Sequence, residues 1–415
     1  MKNKSPIFLA LTVIFLICGN LIGAGILGLP VKTGLAGFYP ALLAMLVCGG
    51  AMFYTAVVLG GEAIRSKEET FNYPSLYGHY LGPIGKWLAI LSNMLILYGL
   101  LIAYLSGGAT IINILLPFKI PHEVLMVIFF LLITTFTLTG FTIARKYNSL
   151  LIVVMWAAFI VIVIMAERYV KPTRLEYTNW VFLPATFPIV ITAFHFHNII
   201  PTICHTLNWK RTTIVTVMLI GMLIGYLMNA VWVEVGVGAL PMEKGSNSLL
   251  NAYEKELPAT IPLSREIKTG DFVAISMIFT LLAISTSYLA NGLGLMDFIK
   301  DLTKNHLHIH SRVLDIALSF GPPLIIAALF RNIFLSALNI VGGIGIVMLF
   351  GILPGVIAVK RAATTGKKVL AYSILTLFSL FFILEICQEV GLLRLKPHVE
   401  HWQHELHKHK IEKRS

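Results

Sequence analysis

The chain has 415 residues, of which 57% are hydrophobic and 13% charged, and its mean hydropathy is +0.82. A soluble domain carries about a quarter charged residues, so this composition excludes one and predicts a polytopic membrane protein. The formal net charge of +12 does not mark a nucleic-acid partner, because Lys and Arg are dispersed over short loops in the manner of the positive-inside rule.

Apolar runs of about 20 residues, enough for a helix to cross a bilayer, fall at 7–31, 37–62, 85–115, 121–141, 147–166, 180–204, 211–239, 271–298, 312–330, 333–358 and 368–390. They predict an all-α integral membrane protein of about eleven helices. The first run is too long for the apolar core of a cleaved signal and lacks a small-x-small cleavage site. It contains Gly19-Asn20-Leu21-Ile22-Gly23-Ala24-Gly25-Ile26-Leu27-Gly28-Leu29-Pro30. Glycine, Asn and Pro are poor company for a continuous helix. In lipid, backbone groups freed by a break are tolerated only against protein, water or a ligand. The stretch therefore reads either as a broken helix that holds something or as a small-residue face for close helix packing.

Loop charges orient the chain. Lys2, Lys4, Arg65, Lys67, Arg145, Lys146, Lys210, Arg211, the segment from Lys300 to Arg312 and the segment from Lys360 to Lys368 fall on one side, the expected cytoplasmic side. Eleven spans put the tail 391–415 on the other side, against its own basic content of Arg394, Lys396, Lys408, Lys410, Lys413 and Arg414. The tail's His398, His401, His404, His407 and His409 form a metal-binding composition, although such a stretch is more often a solvated end. Cys18, Cys48, Cys204 and Cys387 sit in apolar runs without CxxC spacing, which suggests neither a metal nor a disulfide framework. The 240–270 loop mixes Glu243, Lys244, Glu254, Lys255, Glu256, Arg265 and Glu266 and reads as an amphipathic cap on the outer surface.

The sixth run is interrupted as well. Pro188 and Pro201 bracket Thr192, Phe194, His195, His197 and Asn198 at mid-membrane depth, where polar groups mark a pathway or site. On a regular helix His195 and His197 would diverge. Breaks in runs one and six suggest two blocks of five helices, 1–166 and 180–358, followed by an eleventh helix at 368–390. With five helices per block the second must enter from the opposite side, which is the inverted-repeat plan with a midplane site. Half-helix N-termini suit a carboxylate, and half-helix C-termini suit an ammonium or a cation, so one site with both suits a zwitterionic amino acid. In run eight, Ala283, Thr286 and Ser287 share a helix face. With carbonyls of Gly19 and Ile22 they form a candidate oxygen cage for a monovalent cation, although hydroxyls in membrane helices more often bond back to their own backbone. Asn291 lies one turn on, and Tyr98, Tyr104 and Ser106 of run three are further candidates for the cavity wall.

Several stretches resemble the bacterial hydroxy/aromatic amino acid permease family: the GNLIGAGILGLP of run one, YGLLIAYLSGG (98–108), AFHFHNIIPTI (193–203), STSYLANGLGLMDFIKD (285–301) and GPPLIIAALFR (321–331). The family is similar to the wider amino acid–polyamine–organocation superfamily with the leucine-transporter fold. The resemblance implies a five-plus-five inverted repeat with helices 1 and 6 broken, a substrate between helices 1, 3, 6, 8 and 10, and alternating access. It also implies proton-driven uptake of tyrosine or tryptophan across the bacterial inner membrane, with the N-terminus cytoplasmic.

On that reading the substrate is held by Asn20, Leu21, Gly23, Ala24, Gly25, Tyr98, Thr192, Phe194, His195, His197, Asn198 and Asn291. The carboxylate meets N–H groups at Ala24 and Gly25, and the ammonium meets carbonyls near Leu21 and at 192–196. The ring lies among Phe194, His195 and Tyr98. Three departures stand out. His195 replaces a small residue, with Asn198 following. Asn20 stands where the tyrosine permeases tend to have Thr. Glu234 stands where a Gln-like residue is expected. Gly19, Ile22, Ala283, Thr286 and Ser287 resemble the second sodium site of neurotransmitter:sodium symporters, while His195, His197 and Glu234 are the candidate proton carriers. No cofactor beyond the coupling ion, and no obligate protein partner, is expected. The alternatives are a sodium-coupled transporter of another neutral amino acid and an amino acid sensor on the same fold. The absence of HExxH and GxxxxGK motifs argues against an enzyme.

Overall fold

The structure is a computed structural model that describes residues 5–23, 25–67, 72–116, 120–139, 141–242, 245–304, 308–330, 332–393 and 395, without the side chains of 139 and 141–149. The expectations placed on Ala24, on Glu243 and Lys244 and on the histidine-rich tail lie outside these residues. In order the helices are α1 (Pro6–Leu21), α2 (Gly25–Gly34), α3 (Phe38–Ser66), α4 (Tyr73–Leu115), α5 (His122–Thr139), α6 (Phe141–Glu167) and α7 (Pro172–Leu175). They continue as α8 (Phe187–Ala193), α9 (Ile200–Thr206), α10 (Arg211–Ala239), α11 (Leu249–Glu254), α12 (Thr260–Ile267), α13 (Gly270–Leu302) and α14 (Arg312–Leu329). Last come α15 (Phe334–Ile340), a π-helical stretch (Val341–Ile352), α16 (Leu353–Arg361) and α17 (Thr365–Glu389). No strand occurs among the described residues, where a single isolated β-bridge joins Gly37 to Thr178.

Among the described residues nine helical segments are long and apolar enough to cross a membrane, and the α1–α2 pair, bent by 54°, makes a tenth. The apolar part of α5, His122–Leu138, is helical but shorter than these. Among the described residues, every apolar run read from the sequence is thus mainly helical, with breaks in runs one and six. Run three differs in extent, because α4 starts at Tyr73 rather than 85 and turns at Gly82, whose φ of 66° precedes Pro83. Leu46, Leu131, Leu132, Leu223, Leu227, Leu380 and Ile383 are exposed, as side chains facing lipid should be.

One edge of the bundle, the basic face, carries Lys67, Lys210, Arg211, Arg312 and Lys360. There the carboxylate of Glu62 in α3 accepts from Arg65, from the Tyr80 phenol (2.7 Å) and from Arg361 of α16 (3.1 Å). The opposite edge is capped by α7, α11 and α12. The 240–270 loop forms a cap as expected, but it is sunk into the bundle: Leu249, Leu250, Ile261 and Leu263 are buried, and Ala259 N–H donates to the Leu27 carbonyl at 2.7 Å. Arg174 donates to the carbonyls of Gly238 and Ala239 and closes the C-terminal end of α10, a position that favours a cation.

The first break is built by three features. Ser5 caps α1, and Pro6 takes a first-turn position where no N–H is needed. α1 ends at Leu21, where Ile22 N–H turns back to Cys18 (3.0 Å) and Gly23 N–H to Asn20 (3.2 Å). In α2, Pro30 removes the donor that would reach the Ile26 carbonyl, and the Trp232 indole of α10 supplies it instead at 2.9 Å. A single face of α10 follows the broken helix along its length. A methyl added at Gly221, Gly225 or Gly236 would overlap Ile17, Leu21 or Pro30.

Trp232→Phe leaves the Ile26 carbonyl buried without a donor and should destabilise the fold by about 1–3 kcal/mol. In the Pro30→Ala background the helix donates its own N–H, so the penalty should shrink. A double-mutant cycle of unfolding in detergent reads the difference.

Candidate functional site

The second break lies beside the first. α8 ends at Ala193, Phe194 N–H closes onto Val190 at 3.0 Å, and a 3-10 turn at His197–Ile199 leads into α9. Pro188 and Pro201 do not interrupt helices. Each occupies the first turn of one, α8 and α9, where proline is tolerated. The two breaks touch through small atoms: a β-carbon on Gly25 would lie 3.3 Å from Thr192 Cγ2 and 3.6 Å from the Ala193 α-carbon. A β-carbon on Gly23 would lie 3.3 Å from the Ser287 hydroxyl of α13. Gly23, Gly25, Thr192, His195 and Ser287 keep partial exposure, whereas every residue of α2 from Ile26 to Gly34 is buried. These partly exposed residues define the candidate cleft at the breaks, with α2 buried on its capped side.

Because 194–196 is not helical, His195 and His197 do not diverge. Their rings stack in parallel, 6.0 Å apart with an interplanar angle of 5°, and both meet Phe350 of the π-helical stretch at 5.0 and 5.1 Å. His197 is fully buried and held from several sides. Its Nε2 is 3.0 Å from the Thr55 hydroxyl, and its carbonyl accepts from the Tyr73 phenol at 2.5 Å. His195 Nε2 is buried without a partner, as is His197 Nδ1. Of the two residues only His195 keeps partial exposure, and its unpartnered Nε2 is itself turned inward.

Other expected residues are committed elsewhere. The Tyr98 phenol donates to the Leu318 carbonyl at 2.7 Å and ties α4 to α14, so its hydroxyl is already engaged. Tyr104, two turns on, hydrogen-bonds Ser287 and takes the place beside the break. Phe194 is buried against Gly49 of α3, with Tyr226 of α10 at 6.4 Å, away from the histidines. The Thr192 hydroxyl donates to Pro188 (3.0 Å) and Leu338 (3.1 Å), pinning α8 to α15. Asn198 is exposed. Asn20 and Asn291 bond back to their own helices, at Leu16 (3.4 Å) and Ser287 (2.8 Å). Glu234 is half-exposed, with Glu167 as its charged neighbour, in the capped-side half of α10.

The five residues of the candidate cation cage have these surroundings. The Thr286 hydroxyl points at the Leu282 and Ala283 carbonyls (2.7 and 3.4 Å), Ser287 engages Tyr104, and Gly19 lies against Ile152 of α6. None of the cage side chains holds a buried polar atom in want of a partner.

Asn229 was missed. It is fully buried, and neither amide atom has a partner. On α10 it stands between Gly225, which meets Leu21, and Trp232, which meets the Ile26 carbonyl. Its register therefore sets the carboxamide opposite the interruption between Leu21 and Gly25. The signal was visible: it is the one Asn in the apolar run 211–239.

The model of the tryptophan/tyrosine permease family matches residues 8–388. The chain belongs to that family. Its relatives include the tyrosine-specific transport system 1 of Haemophilus influenzae (27% identical, 79% of this chain and 82% of that protein) and the tryptophan-specific transport protein of the same organism (25%, 94% and 97%). A glutamine transporter of Aliivibrio fischeri is 25% identical over 81% of this chain and 84% of its own length. A crystallised variant of the manganese transporter of Eremococcus coleocola shares the fold, with a TM-score of 0.61 at 14% identity over 91% of this chain and 87% of that one. The protein is thus a multi-pass membrane permease and not an enzyme.

Gly25→Val in this permease drives methyl groups into Thr192, where the breaks meet. Uptake should be abolished while the protein still elutes as a folded monodisperse species. Tyr98→Phe should leave the substrate concentration at half-maximal uptake unchanged and lower only thermal stability.

Proposed function

We propose that this permease is a secondary active symporter. It imports an aromatic amino acid, tyrosine first and tryptophan second, together with a proton, by alternating access between the halves 1–166 and 180–358. The reading places it in the bacterial inner membrane with the N-terminus and the basic face cytoplasmic, as loop charge suggests.

The observation that carries the substrate class is the ring cluster of His195, His197 and Phe350 beside the meeting point of the breaks. An aromatic substrate stacks there, and a phenol or indole N–H bonds the free Nε2 of His195. The amino acid end is served by helix termini. First-turn N–H groups of α2, from Gly25 on, receive the carboxylate, and last-turn carbonyls of α1 and α8 receive the ammonium. Asn229 adds a carboxamide opposite the same gap. Relatives transporting tyrosine and tryptophan support this reading. The glutamine-transporting relative makes glutamine the competitor to include.

The test is uptake of labelled tyrosine into proteoliposomes under an imposed proton or sodium gradient, with tryptophan, phenylalanine, leucine and glutamine as competitors. Proton-driven accumulation inhibited by tryptophan but not by leucine is expected. Accumulation under sodium alone would overturn the proton reading, and absence of binding by any aromatic amino acid would overturn the substrate. A site that bonds a substrate hydroxyl rejects the analogue lacking it, so His195→Ala should reduce the preference for tyrosine over phenylalanine by about tenfold or more.

A further inference from the structure

Away from the breaks, the capped half of the bundle buries a set of charges that nothing above uses. Glu385 lies in the apolar helix α17, where a carboxylate is expensive to hold. It is 2% exposed, and its Oε1 has no hydrogen-bond partner. The π-helical stretch makes room for it: a β-carbon on Gly343 would lie 2.8 Å from the Glu385 carboxyl carbon. The next residue back, Gly342, is equally tight against the Pro188 carbonyl and the Thr192 hydroxyl. A glycine pair is therefore all that separates Glu385 from Thr192 at the second break.

Lys32 of α2 is the matching cation. It is 7% exposed and its ammonium sits 4.8 Å above the Tyr253 ring. It makes no ion pair within 4.0 Å among the described residues, yet Glu256, Glu385 and Glu389 surround it as its electrostatic neighbours. These carboxylates differ in availability. Both oxygens of Glu256 are occupied by Ser336, through its N–H (2.6 Å) and its hydroxyl (2.8 Å). Glu389 is exposed at the capped end of α17, one turn from Glu385 on the same face. Tyr253 completes the set. The π-helical stretch, α8 and the turn Leu183–Thr186, all packed against α17, bring no further titratable group, and the Lys360 and Arg361 of α16 lie at the basic face. Glu389, Glu385 and Lys32 thus form a ladder from the surface to the half-helix whose first turn borders the cleft.

We propose that Glu385 is the proton-binding site of this permease, loaded through Glu389 and read by Lys32. This assignment rests on the proton-driven reading above. The proton comes from water on the capped side, forms an O–H bond at the free carboxylate oxygen, and is later released to water in the cleft past the Gly342–Gly343 pair. Ionised Glu385 attracts Lys32 and holds α2 in place. Protonated Glu385 gives up that attraction, and α2, one wall of the cleft, is freed from its neighbour. The two buried charges are in this sense a two-state element whose ionisation couples ion occupancy to helix position.

Glu385→Gln in proteoliposomes is the test, with the wild type under the same proton gradient as reference. A wild type that fails to concentrate tyrosine would remove the coupling reading itself, whatever the variant does. Given a driven wild type, the variant should lose concentrative uptake and keep tyrosine counterflow, now independent of pH. Concentrative uptake at the wild-type level by Glu385→Gln would overturn the assignment. If Glu385→Gln fails to fold, Glu385→Asp decides. Retained drive with a displaced pH profile supports the site, and a profile identical to wild type overturns it. Lys32→Gln should displace the same profile.

Discussion

A peptide carbonyl that loses its donor inside a bilayer finds no water to replace it, and this molecule turns on how that deficit is met. Pro30 creates the deficit at Ile26, and the Trp232 indole meets it from a neighbouring helix. Because α10 supplies the bond, α10 must run close along both arms of the broken helix, which its glycines permit. Because it runs close, Asn229 comes to stand opposite the gap. The same rule applies at the second break, where Thr192 fastens α8 to α15 while the chain beyond Ala193 leaves helical geometry and stacks its histidines. The freed termini are the groups that the proposed zwitterion site uses, and on that reading its chemistry is a by-product of how interrupted helices stay soluble in lipid.

The arms of the first helix are held unequally. α2 is enclosed on all sides, stitched to α10 through Trp232 and to the cap through Ala259, and it carries a buried lysine. α1 has an exposed outer surface and rests on α10 through apolar contacts and the Cys18 thiol. The interior cleft is therefore walled more firmly on the capped side than on the basic side.

Much of this was legible in the sequence because it depends on local chemistry. Glycine, asparagine and proline at 19–30 foretell a break, and polar residues at 192–198 inside an apolar run foretell another. Apolar runs foretell the helices. What stayed hidden depends on rotation and on partners distant in the chain. Tyr98 and Tyr104 both looked suitable, but six residues at about 100° per residue put them on different faces, and only the position of α14 decides which one is taken. Phe194 follows Thr192 closely in sequence, yet it points to α3 because the helix ends beneath it. A regular helix would have set the two histidines apart, and an expected break alone does not say that their rings stack against Phe350. Lys32 and Glu385 are electrostatic neighbours across nearly the whole chain, and no pattern in either helix announces the other.

On the basic face, Glu62 is a single anion shared among Arg65, Tyr80 and Arg361, which belong to α3, the leading segment of α4 and the end of α16. Pulling any one of these away would leave a carboxylate with too few donors in a poorly hydrated place. The three segments are accordingly held to one another through this carboxylate. No comparable tie reaches α1 on that face among the described hydrogen bonds. Under the proposed alternating access, α1 is then the arm with the fewest ties on the basic face, and the Glu62 knot is the part that resists displacement.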